Sequence, residues 1–194
     1  MSKKLTSAEM GRMNVDQYRE ADKLPLVAVL DNVRSQHNVG AVFRTADAMR
    51  IERVLLCGIC CCPPNQELHK TALGAEESVE WQYFKDTLEA VRELKAQGYT
   101  VYAIEQAHDS VTLEEAVEQI SNFLSQGNDY SRFQISNCPK IAIILGHEVF
   151  GVQQEVVDSC DGCIEIPQYG TKHSMNVSVT AGIVLYRLSE ALRS

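Results

Sequence analysis

The sequence has no apolar run long enough to cross a membrane. Its longest mostly apolar stretch, from Val54 to Cys62, is far short of the roughly 18 residues that a membrane-spanning helix needs. The N-terminus, Met1-Ser-Lys-Lys, also lacks the apolar core of a secretory signal peptide. These absences predict a cytosolic protein that is not held in a membrane. The length of 194 residues favours one compact core.

The sequence also lacks the excess of positive charge that marks a generally basic nucleic-acid-binding protein, because its formal net charge is −8. Residues 76–118 hold eleven acidic and three basic residues, whereas residues 1–53 hold seven acidic and nine basic ones. This distribution is compatible with a local basic face that contacts phosphate, and equally with ordinary solvated charge. The basic face would combine the N-terminal lysines with Arg34, Arg44, Arg50 and Arg53.

Seven cysteines, an odd number, favour reduced thiols over a disulfide framework. Two C-x-x-C pairs, Cys57 with Cys60 and Cys160 with Cys163, match zinc-ligand spacing. Zinc pairs usually occupy tight turns, however, and these cysteines lie in or beside apolar strand-like runs. We therefore interpret them as small core side chains and expect no metal site.

Predicted strands and helices alternate along the chain, which indicates an α/β domain with a mainly parallel sheet flanked by helices. The first strand is the continuous apolar run from Leu26 to Leu30, typical of a strand covered on both faces. The predicted strands cover residues 26–30, 54–57, 79–84, 99–104 and 141–145 and the run that stops at Pro167. The predicted helices cover residues 6–20 and 38–49, 86–98 after an Asp86/Glu89 capping box, 112–120 after a Thr112/Glu115 capping box, 152–159, and a segment from Val177. Residues 121–139 are predicted to be a loop.

No G-x-G-x-x-G follows any of these strands, and no G-K-[ST] occurs, which excludes the usual dinucleotide and P-loop phosphate sites. Parallel α/β sheets bind ligands beyond the carboxyl ends of their strands. Polar residues and glycines are concentrated there, which indicates a nucleotide-like ligand without phosphates. They are Asp31, Asn32, Arg34, Asn38, Gly40, Arg44, Glu105, Gln106, Gly146, Glu148, Gly151 and residues 170–176.

The C-terminal segment joins a strand, a polar loop and an apolar helix. Asn176 is placed to cap the helix that begins at Val177. This helix is apolar on nearly every face through Tyr186, so we expect its own sheet to cover one side and a second subunit to cover another. Elsewhere, Trp81 and Tyr83 are interpreted as core residues rather than a base-stacking platform. The histidines at 37, 69, 108 and 173 are interpreted as surface or hydrogen-bonded residues.

Three motifs resemble those of the SpoU-type, or TrmH-type, RNA ribose 2′-O-methyltransferases of the SPOUT superfamily. Asn38-Val-Gly-Ala-Val-Phe-Arg-Thr-Ala46 is similar to the family's N-x-G-x-x-x-R-T-x block. Leu145-Gly-His-Glu-Val-Phe-Gly151 is similar to L-G-x-E-x-x-G. Ile166-Pro with Ser174-Met-Asn-Val-Ser178 is similar to I-P followed by S-L-N-V-S. The order and spacing of the three motifs make a chance match improbable, and the resemblance covers roughly residues 26–190.

The resemblance implies a parallel sheet with a C-terminal trefoil knot, the SPOUT fold, in a knotted methyltransferase domain at residues 25–194. Residues 1–24 would be an N-terminal helical extension. It also implies a homodimer with the last helix at its interface, RNA (tRNA or rRNA) as the partner, and S-adenosyl-L-methionine as the cofactor. The cofactor-binding residues that it implies are Leu145, Gly146, Ile166, Ser174 and Met175, with the loop 170–174 around them.

The implied reaction transfers a methyl group to a ribose 2′-hydroxyl, which demands mainly positioning and the removal of one proton. The catalytic residues implied by the motifs are Arg44, Asn38, Glu148, Ser174 and Asn176. A guanidinium is a poor base, so we expect Arg44 to orient a phosphate and the hydroxyl. Asn38 and Asn176 could equally be helix caps, and Glu148 a cap or a solvated loop carboxylate.

Two other functions stay open from the sequence. One is a catalytically silent RNA-binding dimer on the same fold, against which the complete set of motif residues argues. The other is a base methyltransferase of the same superfamily, although the block from Asn38 to Arg44 favours ribose.

Overall fold

The structure, a computed structural model, describes residues 2–6, 9–125 and 138–193. Seven strands form one sheet in the order β3-β2-β1-β6-β4-β7-β5, and every pairing between neighbours is parallel. The strands are β1 (Leu24–Asp31), β2 (Ile51–Cys57), β3 (Glu80–Phe84), β4 (Thr100–Ile104), β5 (Val111–Thr112), β6 (Ile141–Leu145) and β7 (Gly162–Glu165). The helices are α1 (Val15–Glu20), α2 (Gln36–Met49), α3 (Gln66–Ala72), α4 (Ala75–Ser78), α5 (Thr87–Ala96), α6 (Leu113–Ser125), α7 (Gln154–Ser159) and α8 (Val177–Ala191). The predicted α/β class with a parallel sheet flanked by helices is confirmed.

Helices cover both faces of this sheet. One buried cluster joins alternate residues of β1 and β2 to α2, α3, α6 and α8, with Phe43 fully buried in it. The other cluster joins the opposite strand faces to α5 and α7 through residues such as Leu94 and Val156. Strands β1 and β6 are buried along their whole length, because they are central and covered on both sides. Each large apolar side chain buried in this way contributes roughly 1.5–3 kcal/mol.

The predicted N-terminal helix over residues 6–20 is too long. The structure has a turn at residues 9–11, where Gly11 has a positive φ of 57°, and the helix begins only at Val15. Asn14 sets that start, because its side chain accepts a hydrogen bond from the Gln17 main-chain N–H while the Gln17 side chain accepts one from the Asn14 N–H.

Other boundaries also differ from the predictions. Helix α6 continues to Ser125, into the segment predicted as a loop, whereas residues 126–137 of that segment lie outside the described residues. The Thr112/Glu115 capping box is confirmed. Asp86 caps α5 by accepting from the Leu88 N–H, but the described hydrogen bonds include none from the Asp86 N–H to the Glu89 side chain. The predicted Asp86/Glu89 capping box is therefore only a single cap. Helices α3 and α4 and strand β5 are short elements that were not predicted.

The interpretation of Trp81 and Tyr83 as core residues is wrong. Strand β3 is an edge strand, and these side chains are 37% and 46% exposed. The seven cysteines are free thiols. Cys57 and Cys163 lie on β2 and β7, which are four strand spacings apart, about 19 Å, so the two C-x-x-C pairs cannot share one zinc ion. Within the described ranges, no group of three or more His, Cys, Asp or Glu side chains could hold a metal ion. Among the same residues, no helix is long and apolar enough to span a membrane.

Candidate active site

The carboxyl ends of β4, β6 and β7 open into one cavity of about 810 Å³. This volume lies within the range of about 300–1,000 Å³ that is usual for small-molecule sites. All five predicted cofactor-binding residues line it, as do Glu148 and Asn176. The five are Leu145, Gly146, Ile166, Ser174 and Met175.

The loop after β6 is tightly folded against the sheet. The main chains of His147 and Gly151 exchange two hydrogen bonds, of 3.0 and 2.9 Å. A Cβ at Gly146 would lie 2.1 Å from the Gly151 carbonyl carbon, so only glycine fits at this point. Gly151 has a positive φ of 68°. This compact loop fixes Glu148 at the border between the cavity and the start of α2.

Glu148 lies at the centre of a hydrogen-bond network that joins the three motifs. Its Oε1 accepts from the Ser35 main-chain N–H (2.9 Å) and from Asn38 Nδ2 (3.0 Å), and its Oε2 accepts from the Arg34 N–H (3.1 Å). Asn38 Oδ1 in turn accepts from Asn176 Nδ2 at 3.2 Å. The structure therefore brings together three of the five predicted catalytic residues.

These contacts also set the charge of Glu148. Its partial burial alone would raise the pKa of the carboxyl group. The hydrogen bonds from the Ser35 and Arg34 N–H groups and from Asn38 outweigh burial and hold the pKa below the usual value of 4.5. Glu148 is therefore a carboxylate at neutral pH, with both oxygens accepting hydrogen bonds.

The two asparagines have different local roles. Asn176 caps α8, because its Oδ1 accepts from the Ser178 N–H at 2.8 Å while its amide group donates to Asn38. Asn38 lies inside α2, whose cap is Ser35, so the alternative of Asn38 as a helix cap is wrong. Asn38 is buried and serves to connect Glu148 with Asn176.

Glu105 and Gln106, directly after β4, hold the two loops on either side of the cavity. Glu105 Oε2 accepts from the Val152 N–H at 3.1 Å, at the end of the loop that carries Glu148. Gln106 Nε2 donates to the His173 carbonyl oxygen at 3.2 Å, in the loop before α8. Their position after a strand singled them out in the sequence, but their role as loop anchors depends on contacts between distant segments.

Asp31 is the last residue of β1, yet it lies outside this cavity. It is fully buried and accepts hydrogen bonds from Thr87 Oγ1 (2.6 Å) and from both the main chain and side chain of Gln153 (3.1 Å each). These bonds tie β1 to the starts of α5 and α7, so Asp31 is an internal anchor rather than a ligand-binding residue.

The structure places Arg44 apart from the other predicted catalytic residues. Arg44 is exposed on α2 and lines a second groove, next to the N-terminal segment and the turn between α3 and α4. Ser174 lines the first cavity but makes no hydrogen bond among those of the described residues. A single chain thus holds Asn38, Glu148 and Asn176 together and leaves Arg44 outside the cavity.

Residues 25–186 match the model of the SpoU rRNA Methylase family. The chain is 30% identical over 161 residues to the 23S rRNA (guanosine-2′-O-)-methyltransferase RlmB of Neisseria meningitidis, covering 83% of this chain and 56% of that protein. It is 29% identical over 178 residues to the tRNA (guanosine(18)-2′-O)-methyltransferase of Thermus thermophilus, covering 92% of this chain and 81% of that protein. The chain therefore spans little more than half of the first relative.

Solved structures show the same fold. The TrmH/SpoU tRNA modifying enzyme of A. aeolicus superposes with a TM-score of 0.71 at 25% identity, over 91% of this chain and 81% of that one. The AdoMet-bound rRNA methyltransferase of Sinorhizobium meliloti gives 0.70 at 24% identity, over 93% and 60%. Since the family match covers most of the chain and includes all three motifs, this protein belongs to the SpoU rRNA Methylase family.

Proposed function

We propose that the protein is an S-adenosyl-L-methionine-dependent RNA methyltransferase that transfers a methyl group to a ribose 2′-hydroxyl of tRNA or rRNA. The observation that carries the proposal is the network of Asn38, Glu148 and Asn176 beside a cavity of cofactor size. Family membership and the names of the relatives support the same reaction.

The residues around the cavity fit S-adenosyl-L-methionine. Leu145, Ile166 and Met175 offer apolar walls for the adenine, and the tightly packed main chain at Gly146 offers hydrogen-bonding groups. The loop before α8 contributes Ser174 to the lining of the cavity. Bound there, the cofactor would supply a methyl group carried on a sulfonium, which is a good leaving group.

Glu148 is a positioning residue in this account. Because both of its oxygens already accept hydrogen bonds from Arg34, Ser35 and Asn38, it has little capacity to take the proton of the ribose hydroxyl. Its role is to fix Asn38, which in turn fixes Asn176 and the start of α8. The cavity wall is thereby held in one geometry before any ligand enters.

Arg44 would orient the phosphate next to the reacting ribose, because its fork of donors suits a phosphate group. In a single chain it lines a different groove from the cofactor cavity. A homodimer would allow the two surfaces to meet across subunits. The exposed apolar stripe of α8, formed by Val179, Ile183 and Tyr186, supports a second copy as its cover.

The proposed domain is the segment 25–194, preceded by a short extension. The trefoil knot and the cytosolic location stay predictions.

Methyl transfer from labelled S-adenosyl-L-methionine to total RNA tests the proposal. The RNA should come from cells that lack this protein, so that its target positions are unmodified. The wild type should transfer label, and Arg44→Ala should not. Arg92→Ala is the matched control, because Arg92 is an exposed arginine of α5 that lines neither cavity. A wild type that binds S-adenosylhomocysteine in calorimetry but labels no RNA contradicts the proposed reaction. A wild type that neither binds S-adenosylhomocysteine nor labels RNA supports the silent scaffold instead.

A further inference from the structure

The groove that contains Arg44 is more basic than the rest of the protein. It lies between the N-terminal segment, the C-terminal half of α2, the turn between α3 and α4, and the end of α8. Four arginines line it against two acidic residues, in a chain whose net charge is −8. The arginines are Arg12, Arg44, Arg50 and Arg193, and the acidic residues are Asp47 and Glu77.

None of the four arginines has a carboxylate partner among the described residues. Within the described ranges, Arg12, Arg44 and Arg50 take part in no ion pair within 4.0 Å. Arg193 also lacks one, but its guanidinium donates to the carbonyl oxygens of Met49 (2.6 Å) and Ser189 (3.2 Å). The groove therefore presents guanidinium groups that no carboxylate of the described residues pairs with directly.

The charges in the groove also disfavour one another. Burial and then the charge of Arg50 lower the pKa of Arg193, and the same two causes lower the pKa of Lys23, which does not line the groove. Arg50 ends α2 with φ 52° and ψ 47°, a left-handed conformation in which glycine is the usual residue and any side chain adds strain. Glycine would end α2 without this strain, so the fold does not require an arginine at position 50.

A buried hydroxyl in the wall of the groove is also without a partner. Tyr18 is 7% exposed, and its hydroxyl makes no hydrogen bond among the described residues. An unpaired buried donor costs free energy that an acceptor oxygen from a ligand would recover. The groove is thus lined by cations and by a tyrosine with an unpaired hydroxyl, and both are groups that bind an anionic oxygen ligand.

We propose that this groove binds the sugar–phosphate backbone of the RNA, with Arg12, Arg50 and Tyr18 contacting phosphates beyond the one assigned to Arg44. The proposal rests on the proposed function, from which it takes RNA as the polymer. It gives the N-terminal segment a role in holding substrate, since Arg12 and Tyr18 both belong to residues 1–24.

Arg53 and Arg34, the other arginines of the basic face expected from the sequence, do not line the groove. Arg53 Nη2 donates to Gln97 Oε1 at 2.5 Å, and its guanidinium lies 3.8 Å from Glu52. Arg34 holds Glu148 through its main chain. The proposed phosphate contacts are therefore restricted to one groove rather than spread over that face.

Arg50→Gly and Leu73→Gly form a matched pair for the test. Both residues end a helix in the left-handed conformation, with φ values of 52° and 53°, so glycine relieves the same backbone strain in each. Leu73 is an exposed residue that also lines the groove, but its side chain offers no charge or hydrogen-bond donor. Both variants should be at least as stable to heat as the wild type, and only Arg50→Gly removes a cation.

Affinity for labelled unfractionated tRNA should be measured by filter binding at several salt concentrations. Arg50→Gly should bind more weakly, and the slope of log K against log salt should flatten by about 0.7–0.9, the change expected for one lost phosphate contact. Arg12→Ala should flatten it similarly, and Leu73→Gly should leave it unchanged. If Arg50→Gly and Arg12→Ala both match Leu73→Gly in affinity and slope, the groove does not bind RNA.

Tyr18→Phe isolates the hydroxyl. It should not lower the thermal midpoint, because no hydrogen bond is lost in the free protein and an unpaired buried hydroxyl is removed. It should weaken tRNA binding. Unchanged binding would remove Tyr18 from the site. Methyl transfer by the wild type separates the two proposals. If the wild type transfers methyl groups but the groove variants bind tRNA normally, only the groove proposal is rejected. If the groove variants weaken salt-dependent tRNA binding but the wild type transfers no methyl group, only the proposed reaction is rejected.

Discussion

Asn38 Nδ2 donates a 3.0 Å hydrogen bond to Glu148 Oε1, across 110 positions of the chain. This contact joins the start of α2 to the loop after β6, and Asn176 extends it to the cap of α8. Three motifs that are far apart in sequence thus form one connected unit. The order of the cavity should therefore depend on each of the three side chains.

Glu148→Gln should destabilise the protein by about 1–3 kcal/mol, because an amide replaces a carboxylate that accepts three hydrogen bonds. The folded-state pKa of Glu148 lies below its ordinary value of 4.5, so its contribution is fully present above that value and is lost as pH falls below it. Urea unfolding of wild type and variant at pH 7 and at pH 3.5 should show the difference shrinking at the lower pH. A difference that grows on acidification would contradict the assigned network.

Two substitutions of Asn176 separate its cap from its contact with Asn38. Asn176→Ser keeps an oxygen that can cap α8 but removes the amide donor, so stability should change by less than about 0.5 kcal/mol while methyl transfer falls. Asn176→Ala should lose transfer and also about 0.5–2 kcal/mol of stability. Transfer by the serine variant at the wild-type rate would show that the bond to Asn38 does not serve the reaction.

Gly151→Ala should be more destabilising than Gly98→Ala. Both glycines have positive φ, 68° and 84°, so each alanine costs about 1 kcal/mol of backbone strain. At Gly151 the new Cβ would also lie 2.2 Å from Glu105 Oε2, whereas at Gly98 nothing lies within 4 Å. Thermal unfolding should place Gly151→Ala well below Gly98→Ala, and equal midpoints would show that Glu105 does not hold this loop.

Ile183→Glu should prevent dimer formation, because it places a charge in the middle of the exposed stripe of Val179, Ile183 and Tyr186 on α8. Sedimentation equilibrium should give a dimer mass for the wild type and a monomer mass for the variant, with methyl transfer lost in the monomer. Ile59→Glu, at a site that is 60% exposed in the loop after β2, is the control and should stay dimeric. A wild type that sediments as a monomer yet remains active would refute the dimer.

The sequence predicts the sheet because the central strands are continuous apolar runs, such as the run from Leu26 to Leu30. Strand order does not follow from these runs, so the sequence predicts Trp81 and Tyr83 in the core although β3 is an edge strand. Helices α3 and α4 span only seven and four residues and were missed, although Asn65 caps α3 with two hydrogen bonds. Short helices carry too few apolar positions for a periodic signal.

At the site, the motifs correctly identify residues that lie in contact, such as Asn38 and Glu148. They did not indicate that Arg44, six positions after Asn38, lies in a different groove, because that depends on how α2 is packed. Nor could composition reveal that Arg12 and Arg193, from opposite ends of the chain, share the groove with Arg50. Such placements follow from tertiary contacts rather than from spacing.

Alkaline digestion of RNA that the wild-type protein has methylated tests the central claim most directly. A methyl group on a ribose 2′-oxygen removes the nucleophile that alkali needs to cleave the next phosphodiester. The label from S-adenosyl-L-methionine should therefore be recovered in alkali-resistant dinucleotides. Recovery of the label in mononucleotides would show methylation of a base and would contradict the account.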